Sequence, residues 1–459
     1  MKRIFATIAV AIIASLGSMP AADAQTQLPK NTKKMLKALN MDASVLSGLD
    51  KELAVPKAWV TGATKEGTVK VWTTYRRKPW GKMARIFSER YPYIKLKHDR
   101  VSHTSRRVIK PLTAFKTGRV LTDVITGLSG SVHLFEGAGA FVDLRDLPSY
   151  ANVPKSLHHP KGLSAVGRIR YYCMSYNTKK VNKSDLPKTW DDMVNSKRWA
   201  NKKLGLVNRP NNWLLPIWKY KGSSWGKDFT DRLFTLRPQL RKEGQGAVLS
   251  LVIAGEMDAA IPSAMNRVAE YIKKNAKTPI GHHCPTPVPF TISETGVMAK
   301  NQHMNAAKIY VNWYLSKEGQ LAQFWANDST PSHKGMRDKR FVYWPESLKG
   351  KEMAKFSYKN PEVNAQVLKY WDTKWISIAG KPKGPQAFKG TVVKSKRGGR
   401  RITLKVKGKE KLFRISGSRS EVMINGKSDE RGNVKAGMKC SGTYVPKGKA
   451  VEARKFNCK

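Results

Sequence analysis

Acidic side chains are scarce in this chain: 33 Asp and Glu stand against 85 Lys and Arg over 459 residues, for a formal net charge of +52. Paired carboxylates for acid–base chemistry are correspondingly few. Asp191 and Asp192 fall together in "TWDDM", and Asp258 precedes an apolar strand end. Long apolar runs are also missing: residues 4–16 form one that is shorter than the roughly 20 residues a bilayer span requires. No Walker loop with its lysine and no nucleophile elbow is read from the sequence. His158 and His159 stand beside Pro160 without a nucleophile in view. These absences argue against a hydrolase, a nucleotide-driven enzyme and a membrane-spanning protein.

What is present begins with "MKRIFATIAVAIIASLGSMPAADAQ", whose basic start, short apolar run and terminal "ADA" have the order of a cleaved secretory signal, residues 1-25. No cysteine stands at the cleavage site to carry lipid, so the expectation is a protein exported to the periplasm. An oxidising compartment permits disulfides among the four cysteines. Cys440 and Cys458 make the expected pair, while the proximity of Cys173 and Cys284 is not legible from sequence. His282 and His283 beside Cys284 suggest a metal, but one short cluster does not supply the four ligands of a structural zinc. No cofactor is expected. The positive field favours anionic ligands and speeds their encounter without dictating a fold. It also allows adsorption to anionic surfaces, whereas an exported protein is not expected to have a specific nucleic-acid partner.

A first helix, with Asn31 as its expected N-cap and Met35, Leu36 and Leu39 on one face, opens an N-terminal helical extension, residues 26-66. Strand and helix patterns then alternate: "TVKVWTT" extended, "GKMARIFSERYP" helical, "IKLKHDRV" extended, "SRRVIKPLTAFKTG" helical and "TDVITGL" extended. A second alternating set runs from "KKLGLVN" to "DAAIP", "PFTISETGVMAK" returns as a strand, and "MNAAKIYVNWYLSKEGQLAQFWAN" reads as one long helix. Such alternation predicts an α/β fold with parallel sheet, whose ligands lie at the carboxyl ends of the strands. Residues 388-459 differ. Short period-two runs between Gly, Asn and Ser turns predict a small all-β barrel, OB-like or SH3-like, carrying 21 Lys and Arg against five Asp and Glu.

The segment "YYCMSYNTKKVNKSDLPKTWDDM" resembles the hinge of periplasmic solute-binding proteins of the ferric-iron, sulfate and phosphonate type. "GVMAKNQHMNAAKIYVNWYLSKEGQ" resembles the return strand and following helix of the same family. The resemblance covers approximately residues 67–327 and implies a two-lobe type II fold with crossing hinge strands. Lobe 1 would comprise residues 67-176 and 291-385, and lobe 2 residues 177-290. It further implies a monomer that closes on its ligand by hinge motion and delivers it to an ABC permease in the inner membrane, without catalysis.

In ferric-iron members of that family, the strand end occupied here by "AAIPSAMNR" supplies adjacent tyrosines. This chain has Pro262, Ser263, Ala264, Met265 and Asn266 there, and Tyr271 comes too late. Small polar groups at a helix N-terminus suit an anion, and Arg267 can add a bidentate contact. Tyr75, Arg76 and Arg77 after the first strand, Ser129 in "TGLSGS", and Arg209 and Asn211 in "VNRPNNW" complete the expected anion-binding set. Trp80 and Trp213 are expected in the core. The expected solute is a phosphate ester, phosphonate, sulfonate or carboxylate. Two alternatives stand beside it: ferric iron, carried with an anion or chelator, and a polyanion or envelope surface bound through the basic barrel.

Overall fold

The computed structural model describes residues 28–101, 104–336, 339–342, 344–354, 358, 360–380, 384–416, 419–447 and 450–459. The expected signal peptide lies outside them. Helices α1 (Lys30–Leu39), α2 (Leu49–Leu53) and α3 (Lys57–Glu66) lead into β1 (Thr68–Thr73). There follow α4 (Arg77–Arg90), β2 (Lys95–Arg100), α5 (Thr104–Lys116), β3 (Val124–Thr126), α6 (Val132–Glu136) and the long β4 (Ala165–Tyr176). A second set comprises α7 (Trp190–Asn195), β5 (Leu204–Val207), α8 (Leu214–Lys221), α9 (Ser223–Thr235), β6 (Gln239–Arg241), α10 (Gln245–Ala254), β7 (Ala259–Ala264), α11 (Met265–Lys274) and β8 (Gly281–His283). Strand β9 (Val288–Val297) returns, followed by α12 (Met304–Leu315), α13 (Lys317–Asn327), β10 (Met353–Ala354) and α14 (Glu362–Ala379).

These strands form one ten-stranded sheet with the path β2-β1-β3-β9-β4-β7-β5-β6, β8 lying on β4 and β10 on β9. Each end of the path is parallel: β1 pairs with β2 and β3, and β5 pairs with β6 and β7. The middle is antiparallel, and β4 changes partner along its length. Residues 165–171 pair with β9 and residues 172–176 with β7 and β8. Strands β4 and β9 therefore cross between two α/β lobes, which is the two-lobe architecture the sequence implies. One core gathers Val69, Val71, Phe87, Tyr310 and Trp313 with Met35 and Leu36 of α1; the other is built on Trp190, Trp199, Trp213, Trp218 and Phe229. Trp80 and Trp213 are both buried, as expected.

Three local expectations are corrected. Helix α1 is not capped by Asn31: Pro29 holds the N-cap position, and Glu89 of α4 accepts from the Lys30 and Asn31 N–H groups at 2.7 and 2.8 Å. The long helix breaks at Ser316, which is extended and caps α13 by accepting from Gly319 N–H. Gly319 is required there, since a Cβ would lie 1.9 Å from the Trp313 carbonyl oxygen. Helix α14 falls within the stretch assigned to the first lobe, yet Val367, Trp371 and Trp375 are buried in the second lobe's core. Trp371 meets Trp213 edge-on at 6.3 Å.

The C-terminal region folds separately as β11 (Gln386–Lys396), β12 (Arg401–Val406), β13 (Lys409–Arg414), β14 (Glu421–Ile424), β15 (Lys427–Ser428), β16 (Lys439–Lys447) and β17 (Ala450–Cys458). The meander β11-β12-β13 is closed by antiparallel β11–β16 and β16–β17 and by parallel β13–β17. This is the strand order of an OB-type barrel. Ile402, Leu404, Phe413, Phe456 and Ala453 fill its interior. A core this small gains from a cross-link, and Cys440 and Cys458, opposite each other in register, form the expected disulfide.

Candidate functional site: an arginine-lined cleft

The carboxyl ends of the parallel strands meet the crossing strands around a cavity of about 230 Å³. Seven arginines line it: Arg76 after β1, Arg100 at the end of β2, Arg107 on α5, Arg168 and Arg170 on β4, Arg209 after β5 and Arg267 on α11. Among the described residues no Asp or Glu lines it. Arg168 and Arg170 reach one side with Tyr172 because residues two apart on a strand share a face. The residues that open α10, Gln245 and Gly246, and Asn266 and Arg267 of α11, bring two helix N-termini to the same wall, where backbone N–H groups and the dipole favour anions.

Burial makes this positive charge consequential. Arg107 is 2% exposed and donates to the Gly127 and Val101 carbonyls. Burial, and then the proximity of Arg168, Arg170 and Arg209, push its pKa down to about 9. Arg168 is 1% exposed. Its Nη2 donates to Thr74 Oγ1 at 3.0 Å and its guanidinium lies 4.2 Å from the Tyr75 ring centroid, while Nε and Nη1 have no protein partner. Arg170 Nε is likewise buried and unpartnered. Burial raises the Tyr172 phenol, but Arg170, Arg209 and Arg168 outweigh it and leave its pKa below the ordinary value. Outside the wall, Glu270 pairs with Arg267 at 2.8 Å and Arg76 at 3.6 Å. Glu294 of β9 accepts from Gly130 N–H at 2.5 Å, and burial raises its carboxyl to about 7.

Of the residues expected at the site, Arg76, Ser129, Arg209, Asn266 and Arg267 line this cavity. Four do not. Tyr75 is buried beneath Arg168 and donates to Gln323 Oε1 at 3.1 Å. Arg77 is the exposed first residue of α4. Ser263 is not in a polar turn: β7 continues through it, and its hydroxyl is bonded to Ser175 Oγ at 2.8 Å. Asn211 lines an adjoining cavity of about 190 Å³, which also contains His133, His159, Lys219 and Phe290 and shares Ser129, Thr291 and Ile292 with the first. Asn266 is also engaged, donating to the Asn327 carbonyl at 2.9 Å. Sequence reasoning missed Arg100, Arg107, Arg168, Arg170 and Tyr172. The "RIRYY" alternation on an extended segment was the available signal for three of them.

Two further readings are settled by geometry. Cys173 and Cys284 form a disulfide, so the group they make with His282 has no thiolate to offer a metal. The expectation that the sequence holds no nucleophile elbow is corrected in its letters, since Gly222-Ser223-Ser224-Trp225-Gly226 matches the pattern, but Ser224 lies in the first turn of α9, directly after α8 and not after a strand.

Residues 82–349 match the family described as bacterial extracellular solute-binding protein, more than half of the chain. The chain belongs to that family. It is an extracellular solute-binding protein. No helix among the described residues is long and apolar enough to cross a membrane. Iron-bound HitA from Pseudomonas aeruginosa is similar at 19% identity and a TM-score of 0.58, over 67% of this chain and 99% of that one. AfuA from Actinobacillus pleuropneumoniae, with fructose-6-phosphate bound, is similar at 15% identity and a TM-score of 0.55, over 67% and 98%. The substrate-binding protein of an ABC transporter from Agrobacterium tumefaciens gives 11% identity and a TM-score of 0.55, over 68% and 96%. At these identities the likeness carries the fold alone. No curated protein matches the sequence.

Proposed function

We propose that this solute-binding protein is exported to the periplasm and captures a small organic anion bearing at least two negative charges, such as a phosphate ester or phosphonate, for its ABC permease. One observation carries the reading: a cleft lined by seven arginines and, among the described residues, no acid, in which Arg107 and Arg168 are buried and Arg168 keeps two guanidinium nitrogens without a protein acceptor. Burying an unpaired charge is costly, and an anion accepting from Arg168, Arg170 and Arg209 removes that cost. The adjoining cavity, with fewer charges, accommodates the uncharged body of the solute. Similarity to a protein with bound fructose-6-phosphate is consistent with this division. Bare ferric iron suits the cavity poorly, since among the described residues Tyr172 is the only phenol in its wall and no imidazole or carboxylate joins it. An anionic ferric chelate would be held as an anion.

The test is a thermal-shift screen of the mature, metal-stripped protein at moderate salt against phosphate esters, phosphonates, sulfonates, carboxylates and ferric chelates. A ligand at roughly 100 times its dissociation constant stabilises the folded state by about 2.7 kcal/mol. The reading requires a shift with one anion class that is lost in Arg170→Ala. A shift with ferric ion alone, or with none of the compounds, overturns it.

A further inference from the structure

The barrel carries a second arginine cluster that shares no residue with the cleft. Arg397, Arg400, Arg401, Arg414, Arg419 and Arg431 surround a groove of about 530 Å³. Its one acid, Glu452, is 2% exposed and already held by Arg419 and Arg454. Among the described residues, Arg397, Arg400, Arg401 and Arg414 form no ion pair. We infer that this groove is a second binding site, for a ligand presenting several closely spaced phosphate groups, independent of the solute cleft.

The strand register argues that the charge is placed and not merely abundant. Across the β12–β13 ladder Lys405 faces Glu410, a matched pair, whereas at the groove end Arg401 faces Arg414. Like charges directly opposite on neighbouring strands destabilise a sheet, so the ligand-free barrel bears a repulsion that a bridging anion would relieve. Gly399 presses the same point. Its φ is +72°, and a Cβ there would lie 1.8 Å from the Arg431 carbonyl oxygen, so the turn carrying Arg397 and Arg400 sits hard against the turn carrying Arg431. Burial and then Arg400 lower the Arg431 pKa, which reports that crowding.

The groove also limits what the ligand can be. Phe388, Phe413, Tyr444 and Phe456 are all buried in the barrel core, leaving no platform on which bases would stack. A concave wall of guanidinium groups fits phosphates presented on a narrow chain, which arginine grips bidentately. A flat bilayer reaches it poorly. The recognised chemistry is therefore the clustered phosphate itself.

Inorganic tripolyphosphate is the probe, with hydrogen exchange followed by mass spectrometry on the full mature chain to separate the barrel from the cleft. At moderate salt, tripolyphosphate should slow exchange in residues 401–406 and 409–414. That protection should vanish in the double variant Arg401→Ala/Arg414→Ala, whose ligand-free melting temperature should be no lower than the parent's because a repelling pair is gone. Lys427→Ala/Lys455→Ala, which removes equal charge outside the groove, should leave the protection intact. The inference is overturned by any of three results: no protection in these strands, equal loss in both double variants, or protection from anionic vesicles or single-stranded oligonucleotide without protection from tripolyphosphate.

Discussion

Replacing Arg168 by Met tests the cleft at its most buried charge. Nε and Nη1 have no protein acceptor, and each such donor costs about 1–3 kcal/mol, so the folded, ligand-free protein bears about 2–6 kcal/mol at this side chain. Met loses the bond to Thr74, about 1.5–3 kcal/mol for a charged donor, and the cation–π contact with Tyr75, about 2 kcal/mol when desolvated. It retains the aliphatic stem. The opposing terms nearly cancel, and the ligand-free variant should unfold within about 2 kcal/mol of the parent in urea. Ligand binding has no such compensation: two lost charge-assisted hydrogen bonds weaken affinity by about 3–6 kcal/mol, roughly a hundredfold to ten-thousandfold. Titration calorimetry with the best compound of the screen, beside urea unfolding without it, measures both quantities. A variant destabilised by more than about 4 kcal/mol, as when a paired buried charge loses its partner, but with unchanged affinity would make Arg168 a structural strut and refute the reasoning.

Glu294→Gln should alter how stability depends on pH. The folded carboxyl titrates near 7 against about 4.3 when unfolded, so its contribution is fully present below pH 4 and lost as pH rises through 7. The variant should be more stable than the parent at pH 8 by up to about 3 kcal/mol and similar to it at pH 4, by denaturant unfolding at each pH. Changing Cys173 and Cys284 together to Ala opens a link between positions 111 residues apart; the unfolding free energy of the lobes, measured in denaturant, should fall by about 2–5 kcal/mol, while the barrel's own disulfide is untouched. Trp371→Ala should cost about 3–5 kcal/mol of stability by cavity formation and leave the bond from Trp371 Nε1 to Asn208 Oδ1 unmade.

The sequence by itself determined the alternation of strands and helices and the basic period-two module at the C-terminal end, while the crossing to a second lobe was implied by the family resemblance. The first two rest on local periodicity, and apolar spacing of 2 or near 3.6 is a property of adjacent residues. The expected residues Arg76, Ser129, Arg209, Asn266 and Arg267 line one cavity, because a parallel sheet sends its loops to one edge. Tertiary structure alone decided the rest. Helix α14 joins the second lobe because its tryptophans fit among Trp213 and Phe234, a matter of shape that no local pattern records. Ser263 reads as a polar loop residue until Ser175, 88 positions earlier, meets it across the β4–β7 ladder. The cavity's character depends on Arg107 and Arg168 being buried beside the half-buried Arg170. In a chain with 85 basic residues, nothing along the sequence distinguishes a guanidinium excluded from water and left without an acceptor from one that water solvates at the surface.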